Sequence, residues 1–265
     1  MSVNLLSQNI TTNADIKSIT NWNIGGFVVH LIVFITLIVL AEYYNYWDKN
    51  VTVTKSVPNG PPVNGRNPSN KNLFEIPLVI FPIVFEFICF VAHIFGIIKG
   101  SGMLKGIDFS TIRWIEYSIS ATIMLLGISI IVGITDIGAL LPIIAANFSM
   151  IWFGYAYTLI GRSNPQGIFF YVVSCFVGLL PWIGIMYYGI QSAEDVKQDQ
   201  PTVSNLIYAI IFAIFILFMC FTIPSILEVN KTITPLTSEK TYIFLSITAK
   251  TLLSILIFFT VKSSS

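Results

Sequence analysis

Long apolar stretches alternate with short polar breaks along the whole chain. Seven apolar segments cover residues 23–46, 74–98, 111–134, 137–160, 166–190, 203–227 and 240–261. Each is about as long as the 20 apolar residues that a helix needs to cross a bilayer. The breaks contain Asp136, Pro235 and the polar stretches 161–165 and 194–199, which are typical of turns. This pattern predicts an all-α membrane protein with seven transmembrane helices.

Composition narrows the class of protein further. Of the 265 residues, 55% are hydrophobic and 10% are charged, and the mean hydropathy is +0.80. An ordinary soluble domain carries about 25% charged residues, so the composition excludes a soluble enzyme and a disordered chain. The net charge of +1 gives no reason to expect nucleic acid as a partner. All three cysteines lie in apolar runs, so no disulfide framework is expected.

The spacing of the segments predicts a simple domain organisation. We expect an N-terminal segment over 1–22, one transmembrane domain over 23–261, and a single long extramembrane loop over 47–73. The first apolar segment is too long for a signal peptide. The alternation in 51–54, before a cluster of proline and glycine, favours a short strand and a small hairpin cap. A disordered linker is the alternative for this loop.

The positive charges do not orient the chain in the membrane. Lysine and arginine residues outside the spans divide six against six between the two sides, before Arg113 is assigned to either. The rule that cytoplasmic loops carry more of these residues therefore gives no answer.

Four ionisable residues lie inside the apolar segments, where such groups are functional candidates by default: Glu86, Arg113, Glu116 and Lys250. Lys250 lies about ten residues, or about 15 Å of helix, from either end of the seventh segment. This is too far for its side chain to reach water. One interpretation is a structural ion pair inside the bundle. The other is a lysine that forms a Schiff base with an aldehyde, since burial favours the neutral, nucleophilic amine.

Arg113 and Glu116 lie one helical turn apart at the start of the third segment, on one helix face. Glu116 is the best-placed carboxylate to pair with a buried cation on the seventh segment. Arg113 is expected to keep Glu116 ionised. Alternatively, Arg113 is an interfacial anchor beside Trp114.

The two histidines, His30 and His93, lie in the same half of the membrane as Arg113 and Glu116, within about 10 Å of one surface. Two histidines at matched depth beside a carboxylate suggest a polar, hydrated cavity. The alternative is that each forms a hydrogen bond between helices. Glu86 precedes His93 by two turns, and it is either a protonated structural carboxyl or part of a proton relay.

These residues resemble the microbial rhodopsin superfamily and, within it, the heliorhodopsins. The resemblance covers the whole chain as seven spans with a lysine in the last. The motifs that carry it are 113–120 (RWIEYSIS), 246–250 (SITAK), 147–150 (NFSM), 181–183 (PWI) and the placement of the two histidines.

The resemblance implies a seven-helix rhodopsin-like bundle in which all-trans-retinal is bound to Lys250 as a protonated Schiff base, with Glu116 as the counterion. His30, His93 and Arg113 would surround a cavity near the Schiff base. The remaining pocket residues would be Ser120, Ser246, Tyr117, Asn147, Met150 and Trp182. It also implies a cytoplasmic N-terminus, an extracellular C-terminus and a homodimer.

The sequence departs from outward proton pumps of the superfamily. Those pumps carry a second carboxylate eleven residues after the first one in span three, where this chain has Gly127, and another four residues before the lysine, where it has Ser246. We therefore expect a light sensor that signals to a partner and is neither a pump nor an enzyme. Light-gated passive proton or ion transport is the second hypothesis, and a membrane transporter or receptor without retinal is the third. No metal site is expected.

Overall fold

The computed structural model describes residues 12–57, 69–104, 106–160 and 164–263. Besides a short 3-10 helix (Tyr46–Asp48), the described residues form eight α-helices: α1 (Asn13–Tyr43), α2 (Ile80–Gly100), α3 (Phe109–Ile131), α4 (Ile137–Ile160), α5 (Pro165–Val196), α6 (Pro201–Cys220), α7 (Thr222–Val229) and α8 (Pro235–Ser263). Helices α6 and α7 together form one span, so the described residues contain seven helical segments long and apolar enough to cross a membrane. The predicted fold class is confirmed. Three parts of these predictions lie outside the described residues: the central part of the long loop, residues 161–163 of the predicted break 161–165, and residues 1–11 of the predicted N-terminal segment.

The first helix is longer at its start than hydropathy indicated. It begins at Asn13, whereas the apolar run begins at residue 23. The Thr12 hydroxyl accepts a hydrogen bond from the Asp15 amide at 3.1 Å, which caps the first turn. This polar first turn is helical because of its cap, and an apolar pattern cannot reveal it.

The loop between the first two spans forms the predicted hairpin. Strand β1 (Asn50–Val57) pairs with strand β2 (Ser69–Pro77) in an antiparallel register that matches Asn50 with Pro77. The second span consequently starts at Ile80, and the prediction that it starts at residue 74 is wrong, because residues 74–77 belong to β2.

The hairpin is attached to the turn between α3 and α4. The Thr54 amide donates to the Thr135 carbonyl at 3.0 Å, and the Ser56 hydroxyl donates to Asp136 Oδ2 at 2.9 Å. The bond from Ser56 holds the pKa of the Asp136 carboxyl below its ordinary value. This attachment fixes which end of the bundle carries the hairpin, and we call it the hairpin side.

The sixth span is interrupted between Cys220 and Thr222. Pro224 has no N–H and its ring crowds the carbonyl four residues earlier, so a continuous helix is disfavoured. The Phe221 amide instead bonds to the Phe218 carbonyl three residues earlier, at 3.2 Å. The sequence prediction treated 203–227 as one uninterrupted helix and missed this break.

The helices form a closed ring in chain order, in which α8 packs against both α1 and α6. Helix α8 also contacts α2 and α3. Of the seven spans, α3 and α8 are the most buried. Polar side chains on these two helices are therefore brought together in the interior of the bundle.

Candidate functional site

The centre of the site is an ion pair between α8 and α3. Lys250 Nζ lies 2.5 Å from Glu116 Oε1, and the two side chains are only 3% and 8% exposed. The Tyr117 ring lies beside the amine, with its centroid 5.1 Å from Nζ. The pair that the sequence predicted between the third and seventh spans is thus formed in the structure.

Glu116 accepts two further hydrogen bonds at the same oxygen. The Ser120 hydroxyl, one turn later on α3, donates to Oε1, and so does the Cys89 thiol of α2 at 3.3 Å. An ionised carboxylate is an acceptor-only group that takes several donors, so this arrangement suits a charged Glu116. Cys89 was not predicted as part of the site, because a cysteine in an apolar run gives no signal of its contacts.

A cavity of about 300 Å³ opens beside the Lys250 amine, within the range of small-molecule sites. Its walls are mostly aliphatic and aromatic. Of the predicted site residues, six line it: Arg113, Tyr117, Asn147, Met150, Trp182 and Lys250. Further lining residues were not predicted, since their apolar side chains look like any others in a transmembrane helix: Met124, Leu125, Ile128, Leu179, Ile214 and Phe218.

These residues fit a long apolar aldehyde such as retinal. Lys250, the only lysine on the wall among the described residues, supplies a primary amine next to its carboxylate, and most of the remaining surface offers apolar and aromatic contacts. Trp182 packs between Phe215 and Phe218, with ring centroids at 5.3 and 5.5 Å, which holds its indole at the wall. The Asn147 amide is fixed by donation to the Thr122 hydroxyl at 2.9 Å.

A second, smaller cavity lies on the side of the bundle opposite the hairpin. Its volume of about 40 Å³ is enough for about three water molecules. Glu116 and Ser246 line it, and its other polar lining residues are Asn23, His93, Arg113, Tyr117 and Glu239. Ser246 therefore faces this cavity and not the large one. The predicted polar cavity corresponds to this space, although His30 lies elsewhere.

The partner of Arg113 differs from the prediction. Its Nε and Nη2 atoms each donate to a carboxylate oxygen of Glu239 at 3.0 Å, and its guanidinium lies 3.9 Å from the centre of the Tyr242 ring. The prediction that Arg113 keeps Glu116 ionised is not supported by these contacts. Glu239 was missed because the apolar segment starts at residue 240, whereas α8 starts one turn earlier, at Pro235.

His30 pairs with Glu86. Its Nδ1 lies 2.5 Å from Glu86 Oε2, and both side chains are 0% exposed. The Ser254 hydroxyl donates to the other oxygen of Glu86 at 2.7 Å. His93 lies against His30, with ring centroids 5.4 Å apart, and its Nδ1 is 3.0 Å from Asn23 Oδ1. The two histidines are thus neighbours, but only His93 reaches the small cavity.

The fold and the lysine–carboxylate pair define an integral, multi-pass membrane protein with a rhodopsin-type bundle. A family model described as Heliorhodopsin matches residues 19–261. The chain therefore belongs to the heliorhodopsin family, and this membership supports a retinal photoreceptor-type protein.

Solved structures show the same fold at low sequence identity. A light-driven proton pump from Leptosphaeria maculans is 15% identical, with a TM-score of 0.68 over 91% of this chain and 94% of that chain. The rhodopsin of Exiguobacterium sibiricum is 18% identical, with a TM-score of 0.67 over 95% and 98%. A cyanorhodopsin from Calothrix is 14% identical, with a TM-score of 0.66 over 91% and 93%. Among curated proteins, none matches the chain in sequence.

Proposed function

We propose that this protein is a retinal-binding, light-sensing photoreceptor that performs no active ion pumping and has no enzymatic activity. One observation carries the proposal. The buried Lys250 amine lies against the Glu116 carboxylate and also forms part of the wall of an apolar cavity. A purely structural ion pair would account for the contact but not for the cavity beside it.

In this proposal Lys250 holds all-trans-retinal through a protonated Schiff base, and the chromophore supplies light absorption and isomerisation. Glu116 stabilises the positive charge on the nitrogen. Ser120 fixes the carboxylate by donating to the same oxygen. Tyr117, Asn147, Met150 and Trp182 shape the cavity, while Ser246 borders the small polar cavity on the other face of Glu116.

The absence of pumping is supported by the difference between the two halves of the bundle. The polar half, opposite the hairpin, contains His93, Arg113, Glu116 and Glu239 around the small cavity. The apolar half, on the hairpin side, has a buried core that includes Ile128, Ile211, Leu253 and Ile257. Vectorial transport needs access to both surfaces, and this arrangement favours exchange with one.

The surroundings of Gly127 also support the absence of pumping. A Cβ atom built on Gly127 would lie 3.1 Å from Phe81 Cβ, so the helix face that holds a carboxylate in pumps is here packed against α2. A larger side chain at this position would have to displace Phe81. The proposal therefore assigns no proton-donating role to this part of α3.

We also propose the topology and partners that the family resemblance implies. The N-terminus would be cytoplasmic and the C-terminus extracellular, with lipid around the bundle, and two copies would form a homodimer. Signalling would act on a partner that has not been identified. Cysteine crosslinking in intact cells, with substitutions on the exposed face of the hairpin, would test the orientation.

Light-gated passive proton or ion transport is the second candidate. The observation that favours it is the buried Glu86, which would extend a polar path from the histidines towards the hairpin side. Such a path would carry current only down the electrochemical gradient. A transporter or receptor without retinal is the third and weakest candidate.

The test starts with apoprotein purified in detergent. Addition of all-trans-retinal should produce a visible absorption band, whereas all-trans-retinol, which has no aldehyde, should not. A sample that stays colourless would leave only the third candidate.

Photocurrents of the pigment, recorded over a range of voltages and pH gradients, separate the other candidates. We expect no sustained current. A current against the gradient would contradict the proposal that the protein does not pump, and a purely passive current would favour the channel.

A further inference from the structure

The large cavity has polar side chains at both ends and an apolar middle. Lys250, beside Glu116, is at one end. The middle of the wall consists of apolar residues of α3 and α6: Ala121, Met124, Leu125, Ile128, Ile214 and Phe218. The part of the wall that belongs to α5 is different, because four of its five residues carry a polar atom: Tyr171, Ser174, Cys175 and Trp182, with Leu179 as the exception.

The α5 wall lies across the bundle from Lys250. Helix α8 packs on α1, α2, α3 and α6, whereas α5 packs on α4 and α6. Because α5 and α8 share α6 as a neighbour, their axes are at most about 20 Å apart. A ligand that is joined to Lys250 and extends along the cavity therefore ends against α5.

Two hydroxyl groups of α5 present only acceptor atoms to such a ligand. Tyr171 donates its hydrogen to the Thr222 carbonyl at 3.1 Å, and Ser174 donates its hydrogen to the Met150 carbonyl at 2.8 Å. A hydroxyl has a single hydrogen, so what remains available on both groups is the oxygen lone pairs. Tyr171 and Ser174 are one turn apart on the same helix face, and we call them the acceptor pair.

The surroundings of the acceptor pair separate donors from acceptors. The Tyr171 ring packs against the Tyr157 ring with centroids 5.0 Å apart, which fixes its position. The Cys175 thiol, next to Tyr171, is only a weak donor. A stronger donor, the indole N–H of Trp182, lies two turns further along α5; it is buried and has no hydrogen-bond partner among the residues that the structure describes.

On the basis of the proposed photoreceptor function, we propose that the cavity is built for a retinal whose ring carries a hydroxyl group, and that this hydroxyl donates to the acceptor pair. The aldehyde oxygen of retinal leaves as water when its carbon forms the C=N bond with the Lys250 nitrogen. Unsubstituted retinal then has no oxygen left, and its ring offers the acceptor pair no hydrogen. A ring ketone is no substitute, because a carbonyl oxygen only accepts.

The sign of the ligand preference separates this proposal from a merely apolar fit. One additional hydrogen bond between neutral groups should favour the hydroxylated ring by about two- to twelvefold in affinity. Against an apolar wall the same hydroxyl would weaken binding, because it would lose its contacts with water and gain no partner.

Competition between aldehydes on the full-length apoprotein tests the proposal. The protein is equilibrated with equal amounts of all-trans-retinal and one competitor, and the bound chromophores are extracted and quantified. The competitors are the 3-hydroxy, 4-hydroxy and 4-oxo derivatives of all-trans-retinal. We expect at least one hydroxy derivative to exceed retinal by about two- to twelvefold, and the 4-oxo derivative not to exceed it.

Substitutions in the acceptor pair locate the contact. Tyr171→Phe combined with Ser174→Ala should bring the ratio of hydroxylated to unsubstituted chromophore to one or below. Tyr187→Phe, on the exposed face of the same helix, is the matched control and should keep the wild-type ratio. Because each ratio compares two ligands on one protein, a lower yield of folded variant does not change it.

Three results would overturn the assignment of the acceptor pair. They are a wild-type protein that prefers neither hydroxy derivative to retinal, a preference for the 4-oxo derivative, which would favour the Trp182 N–H as the contact, and an unchanged ratio in the double variant. If the double variant does not fold, the competition on the wild type and on Ser174→Ala alone still decides. A wild-type protein that forms no pigment with any of the aldehydes would instead overturn the photoreceptor function itself.

Discussion

The polar half and the apolar half are built from the same helices, but they bury different kinds of side chains. In the polar half, Arg113 and Glu239 form a two-pronged ion pair beside a cavity large enough for water. In the apolar half, the same two helices meet α6 through Ile128, Leu253 and Ile211. Most of the buried charged side chains near Lys250 therefore lie on one side of it, and the His30–Glu86 pair is the exception.

The largest effect is expected from substitution of Lys250, which lies between the two halves. Lys250→Ala should abolish visible absorbance with added retinal, because no other lysine lines the cavity in the part of the chain that the structure describes. Absorption spectra of the reconstituted protein measure this. Lys262→Ala, at the exposed end of the same helix, is the matched control and should keep its colour; a coloured Lys250→Ala protein would show that the linkage is assigned wrongly.

Neutralising Glu116, the proposed counterion, should have the next largest effect. In Glu116→Gln the buried cation at Lys250 loses its paired charge, which favours release of its proton. The visible band should move to longer wavelength, or be replaced by a near-ultraviolet band at neutral pH. A pH titration of the spectrum measures this, and a titration curve that matches the wild type would reject Glu116 as counterion.

In the polar half, the Arg113–Glu239 ion pair should make the largest contribution to the stability of the folded protein. Glu239→Gln leaves the Arg113 guanidinium buried without its carboxylate, and breaking a buried pair in this way costs about 3–5 kcal/mol. The thermal midpoint of pigment bleaching should fall accordingly. Arg113→Gln combined with Glu239→Gln should be less destabilised than the single variant, because no uncompensated charge is left; equal stability of Glu239→Gln and wild type would contradict this view.

In the apolar half, a smaller side chain should lower stability without changing the absorption maximum. Ile211 is fully buried on α6, so Ile211→Val should lower stability by about 0.5–1.5 kcal/mol through lost packing. The absorption maximum should stay where it is. Ile216→Val, on the exposed face of the same helix, should change stability by less than about 0.5 kcal/mol. A spectral shift in Ile211→Val would show that the two halves are coupled more closely than their contacts indicate.

The smallest effect concerns the hairpin, which covers the apolar half. Ser56→Ala removes the hydrogen bond that depresses the pKa of Asp136, so hydrogen exchange at the Thr54 amide should become a few-fold faster at neutral pH. A group with a depressed pKa stabilises the folded form at higher pH, and this contribution is lost as the pH falls through that pKa. Wild type and variant should therefore converge in acid. Lys55→Ala is the neighbouring control, and a difference that persists at low pH would contradict the role of the carboxylate.

Much of this architecture could be predicted from the sequence, for physical reasons. Helices that cross a bilayer must satisfy their backbone hydrogen bonds internally and present apolar side chains, so hydropathy reveals their number and approximate position. A lysine in the middle of an apolar run is costly wherever it lies, and this cost identified Lys250 and its need for an anion such as Glu116 before any contact was known.

Tertiary structure alone decided which side chains pair with each other and how deep in the bundle they lie. The sequence placed Arg113 one turn from Glu116, but the packing of α3 on α8 gives it Glu239 instead. His30 was expected beside the polar cavity, yet the packing of α1 on α2 directs it to Glu86. Apolar cavity walls such as Leu179 and Phe218 have no distinguishing pattern, because nearly every residue of a span is apolar. Hydropathy reports transfer from water to lipid for each segment separately, whereas the choice of hydrogen-bond partner depends on the rotation and depth at which two helices meet.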